Sequence, residues 1–257
     1  AQLLVNHAPL AGPADKVNAI FAEAAELFRR VERESGDTAL AREALSMRAY
    51  CSLALQRPAE TIELLDGAEE SPLSAEILLA KAYFTKGDAP KARSLLQRCL
   101  YQGLITLFSA FSDLMVYDSD NPEKWEDCLQ KALKLGEVFG LREMHPGLYF
   151  PLYLTAASLF AAQKQNDRAL DLLEAYADLA MQKDIFPLKL KGNRFFDLLG
   201  PYFDSLNLGT APPRSDRLVQ KNLKSLVANS PAFQGLASEE RYRRIVRRLA
   251  HWKEEAK

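Results

Sequence analysis

The chain of 257 residues carries 33 basic and 34 acidic side chains, and 48% of its residues are hydrophobic. That composition supports a substantial core and excludes a disordered chain. The formal charge of −1 gives no overall bias toward nucleic acid or an anionic membrane. The charge is uneven, however: from Arg214 to Lys257 eleven basic residues face five acidic ones, so this end is basic and the remainder acidic. Cys51, Cys99 and Cys128 share no C-x-x-C spacing, which fits neither a disulfide framework nor a zinc site and makes a reducing cytoplasm the expected compartment.

In chain order, Ala1 to Pro13 reads as a linker. Val17, Ile20, Phe21, Ala24, Leu27, Phe28 and Val31 then recur at helical spacing, predicting an amphipathic helix near Asp15 to Glu34. Turn residues punctuate the rest of the chain near Asp37, Pro58, Ser71-Pro72, Gly87-Asp88, Asn121-Pro122, His145-Pro146 and Gln165-Asn166-Asp167. The intervals are helical segments of roughly 12 to 20 residues, and their short connections make neighbours antiparallel. Nothing reads as a strand. No apolar run approaches the ~20 residues of a membrane span, and the N-terminus lacks the basic-then-apolar pattern of a secretory signal.

Ala80, Tyr83, Gly87-Asp88, Ala92, Leu96 and Cys99 fit the tetratricopeptide pattern, in which small residues let two helices approach and bulky ones fill the gap. Ala49, Thr61, Leu65 and Ala68 repeat it 31 residues earlier, and Ala157, Phe160, Ala169, Leu173 and Tyr176 repeat it later. Leu114 and Tyr117 open a further unit whose second helix, Pro122 to Gly140, is longer than the pattern. The expectation is an all-α fold, a right-handed solenoid of antiparallel helix hairpins (tetratricopeptide-like) over 14–183 with a C-terminal helical cap over 184–257. In that cap helices are expected at Asp216 to Ala228 and at Ser238 to Glu254. The second would be capped by Ser238 and buried along Tyr242, Ile245, Val246, Leu249 and Trp252.

No G-x-G-x-x-G, G-x-x-x-x-G-K, H-E-x-x-H or G-x-S-x-G occurs, and His7, His145 and His251 lie far apart. Neither an enzyme nor a metal site nor a cofactor is therefore expected. His145, before Pro146, reads as a capping or packing residue of a turn. In "EERYRRIVRRLAHW", Arg243, Arg244, Arg247 and Arg248 could meet phosphates. The alternative, the exposed side of a capping helix paired with acidic neighbours from the array, is preferred because no base-reading motif accompanies them.

The concave face of a hairpin array is the natural binding surface. Projecting the pattern turns Ser46, Tyr50 and Leu53, then Ile77, Lys81 and Phe84, then Phe108, Phe111 and Met115, then Leu154 and Ser158 toward it. Tyr50, Lys81, Phe84, Phe108, Phe111, Met115, Leu154 and Ser158 are the candidate residues for a peptide, a small ligand or a protein partner. In the opposing reading the chain's own terminal helices close the groove and these residues are core.

The succession "KLKGNRFFDLLGPYFDSLNLGTAPPRSDRL", "ANSPAFQGL" and "RYRRIVRRL" is similar to the C-terminal region of bacterial, mostly clostridial, XRE-type helix-turn-helix transcriptional regulators. Lys191, Phe195, Phe196, Asp197, Pro213-Arg214, Asn229, Pro231, Ala232 and Phe233 carry the resemblance. In that family a short DNA-binding domain precedes a tetratricopeptide-like helical domain. The resemblance implies a cytoplasmic sensor and dimerisation domain, a homodimer that takes a peptide or small ligand and meets DNA only through an upstream domain. No helix-turn-helix occurs in the sequence, and because it starts at Ala1 rather than Met, such a domain is expected upstream. The hairpins alone imply an alternative, a stand-alone tetratricopeptide-type adaptor holding a partner protein in its groove.

Overall fold

The computed structural model describes residues 1–65, 75–183, 185–186, 188–206, 209–210 and 215–252. Ala68, Ser71-Pro72 and Pro213-Arg214 of the sequence motifs lie outside these residues. The described chain is all-helical, without a strand, and divides into two units, Ala1–Pro72 and Leu73–Lys257.

In the first unit, α1 (Gln2–His7) and a 3-10 turn (Ala8–Leu10) precede α2 (Ala14–Glu34). The expected linker is thus partly helical, because Val5 and Ala8 give it something to bury: they join Phe21, Ala24, Phe28, Ala44 and Cys51 in one core. The Asp37 carboxylate starts α3 (Thr38–Ala54) by accepting from the Ala39 and Leu40 amides at 2.9 and 3.2 Å. Arg48 of α3 pairs with Glu32 of α2 at 2.7 Å. The Thr61 hydroxyl of α4 (Pro58–Leu65) donates to the Ala49 carbonyl at 3.1 Å, tying α4 to α3.

The second unit begins with α5 (Ala75–Thr85) and α6 (Ala89–Tyr117), followed by α7 (Pro122–Phe139) and the short α8 (Leu141–Met144). A 3-10 turn (Pro146–Leu148) leads into the antiparallel pair α9 (Tyr149–Ala162) and α10 (Asn166–Ala180). The α3–α4, α5–α6 and α9–α10 turns share one geometry. Gln56, Gly87 and Lys164 are left-handed, with φ of 58°, 93° and 60°. The following amide donates five residues back in each: Arg57 to Ser52 at 2.8 Å, Asp88 to Tyr83 at 2.9 Å and Gln165 to Phe160 at 2.9 Å. These are Schellman closures, which satisfy the last carbonyls of a helix. Seven residues before each left-handed position stands a buried alanine, Ala49, Ala80 or Ala157.

Between these hairpins the pattern breaks. The 29 residues of α6 form one uninterrupted helix where the repeat expects a boundary, so no separate first helix opens the further unit at Leu114. By length and composition α6 is also apolar enough to cross a membrane, contrary to the expectation that no segment would be. Part of that apolar character is used in packing: Tyr101, Leu104, Phe108 and Met115 enter a core shared with α7 and α9.

The C-terminal region joins the same core through Phe196, Leu199, Phe203, Leu223, Phe233 and Ile245. Gln97 of α6 holds the "NRFFDL" segment: its Nε2 donates to the Phe195 carbonyl at 2.9 Å and to Asp197 at 2.7 Å, and its Oε1 accepts from the Leu198 amide at 2.8 Å. Asn193 ties the same segment to the end of α7 by donating to the Phe139 carbonyl at 2.8 Å. After α11 (Gly200–Asp204) come α12 (Asp216–Ala228), as expected, and α13 (Glu240–His251). α13 starts beyond Ser238, which does not cap it, and Tyr242, Ile245 and Leu249 are its buried stripe.

Candidate interaction surface

The eight candidate residues do not share one environment. Tyr50 is exposed on α3 in the first unit, and its ring meets Phe21 edge-on at 6.3 Å. Lys81 and Phe84 are exposed on α5, Phe84 at 68%. Phe108 and Met115, by contrast, are 0% exposed. They belong to the core and line no open groove, because this face of α6 meets α7 and α9. Leu154 and Ser158 are half-buried on α9, where the Ser158 hydroxyl is spent on the Leu154 carbonyl at 2.8 Å.

Phe111 leads to a surface that the projection missed. It lines an apolar cleft of about 400 Å³ with Leu107, Ala110, Leu114 and Tyr117, rimmed by Asp113. Leu100, Leu107 and Leu114 are spaced by seven and share one side of α6; all three are about half exposed, and Tyr117 is 80% exposed. No charged residue occurs from Cys99 to Ser112. The exposed side is therefore a continuous uncharged strip, unusual on a helix bounded by water. The signal available in sequence was this charge-free run, which the repeat register divided between two supposed helices.

Four arginines of the basic helix are paired. Arg241 of α13 meets Asp171 at 2.7 Å, Glu174 at 2.9 Å and Asp167 at 3.6 Å on α10, and Arg248 meets Asp178 at 2.6 Å. The hydrogen bonds that Arg241 donates to the Glu174 and Asp171 carboxylates hold its guanidinium firmly in its charged form. Arg243 and Arg247 both pair with Glu240 on their own helix.

His145 packs at its turn. Its Nδ1 lies 3.1 Å from the Tyr101 hydroxyl, and burial pushes its pKa down to about 4. Burial likewise pushes up the thiol pKa of Cys51 and of Cys128. Among the described residues no group of three His, Cys, Asp or Glu side chains is placed to share a metal ion. No known protein family, curated protein or solved structure is matched by this chain.

Proposed function

We propose that this chain is the sensor and dimerisation domain of an XRE-type transcriptional regulator, built on tetratricopeptide-like hairpins and pairing through the open side of α6. The uncharged strip of Leu100, Leu107, Leu114 and Tyr117 is the observation that carries the pairing. Apolar surface of this extent gains free energy when a partner removes it from water. Charge favours a second copy laid antiparallel, since Lys91 and Arg93 near the start of one α6 would then approach Asp113 and Asp118 near the end of the other.

The three identical Schellman turns, each following a buried alanine by seven residues, support a repeat origin for the hairpins. Support for the regulator comes from the resemblance of the C-terminal blocks, whose Phe196, Leu199 and Phe233 anchor that region in the core. A ligand would act by favouring one of two arrangements of the dimer, and so the spacing of DNA-binding heads attached upstream.

Light scattering at tens of micromolar should give a dimer. Leu107→Glu together with Leu114→Glu should give a monomer that keeps the helical circular dichroism of the parent, because both side chains are about half exposed, and that melts earlier only by the stability the pairing supplied. A monomeric parent protein would sink the pairing, and a dimer that survives both changes would move the interface off α6. A start codon directly before Ala1 in the gene would overturn the regulator and leave the adaptor.

A further inference from the structure

The turn His145-Pro146-Gly147 and the segments 188–190 and 209–210 line a half-open cavity of about 200 Å³. Backbone bonds fix its walls: the Leu190 amide donates to the Thr210 carbonyl at 2.9 Å, and the Lys191 amide to the Met144 carbonyl at 3.2 Å. Leu188, Leu190 and Pro146 make the lining apolar, with room comparable to the ~150 Å³ cavity that accepts a benzene ring. Into this space His145 brings one polar edge. Its Nδ1 is taken by Tyr101, while its Cδ2–Nε2 edge lies beside Gly147, 3.8 and 4.0 Å from where a Cβ there would sit.

A second cleft of about 260 Å³ shares Pro146 and Lys189 with the first. Arg142, Glu143, Gln182 and Lys191 also line it, so among the described residues three cationic side chains stand against one carboxylate. The Nε of Arg142 is buried and has no acceptor among the described residues. A buried guanidinium N–H without a partner is a deficit that an anionic oxygen would remove.

We propose that the two cavities form one binding site for a small amphipathic carboxylate. Its apolar body, about the size of an aromatic ring, lies against His145, and its carboxylate lies on Arg142, Lys189 and Lys191. The body gains by leaving water for an apolar pocket, and the head fixes orientation through charge-assisted hydrogen bonds. None of these residues belongs to the α6 strip, so the site stands or falls apart from the proposed dimer.

Titration calorimetry on the whole chain with phenylacetate tests it, with acetate as head alone and toluene as body alone. Saturable phenylacetate binding at up to millimolar concentration is expected, weaker by about tenfold in the exposed-residue variant Lys189→Gln/Lys191→Gln. Acetate and toluene should each bind far more weakly. Gly147→Leu should fill the cavity and abolish binding. If that variant fails to fold, the His145 ring proton resonances of the parent protein decide, since they must shift with phenylacetate. Absence of saturable binding, equal binding of toluene, or unchanged affinity in the double lysine variant would overturn the site.

Discussion

Two non-glycine residues, Gln56 and Lys164, occupy the left-handed position that Gly87 occupies in the third matching turn. A side chain there costs roughly 1–2 kcal/mol, partly offset by the smaller unfolded-state entropy relative to glycine. Gln56→Gly and Lys164→Gly should therefore each stabilise the fold by roughly 0.5–1 kcal/mol in urea titrations, and Gly87→Ala should destabilise it by a similar amount. An added Cβ at Gly87 meets no atom within 4 Å, so the effect there is purely of the backbone. His145 sets a pH dependence. Because burial lowers its pKa from 6.5 to about 4, the unfolded chain binds the extra proton between those values. Stability is therefore full above pH 6.5 and declines as pH falls toward 4, by at most about 3 kcal/mol. In His145→Phe this component should vanish from melting curves recorded across that range. The sequence marked His145 as a packing residue of a turn, but its partner Tyr101 is 44 residues away and could not be read from spacing.

At the scale of elements, α6, α7 and α9 meet where Gly136 removes a side chain. A Cβ there would collide with the Tyr149 hydroxyl and come within 3.1 Å of the Phe108 ring. Both rings are buried and cannot swing clear, so Gly136→Ala should lower stability by about 1–3 kcal/mol, seen as an earlier denaturation midpoint. The helices themselves were largely legible. Asp37, Asp88 and Asn121 cap where the turn residues predicted, and Gly140 ends α7 in the left-handed conformation. Capping is local chemistry, so it survives without knowledge of the fold. What misled was α6: a repeat register placed a boundary inside a segment whose own residues contain no breaker strong enough to end a helix. Gly103 alone does not interrupt it.

Over the whole molecule, much of the sequence with no evident chemistry ties distant elements together. Gln97 and Asn193 bind the "NRFFDL" segment to helices far away in the chain, and Tyr176 and Tyr242 donate to the carbonyls of Leu223 and Val227 at 2.9 Å each, tying α12 to α10 and α13. The basic end found by counting charges is matched to the acid of α10 by Arg241 and Arg248. By itself the sequence determined the all-helical class, the turns and most helix ends, because hydrophobic period and capping act over a few residues. Only the tertiary structure decided which apolar residues face water. Phe108 and Met115 lie at 0% exposure while Phe84 and Tyr117 stand open, because burial depends on where a neighbouring helix ends, and no local pattern carries that information.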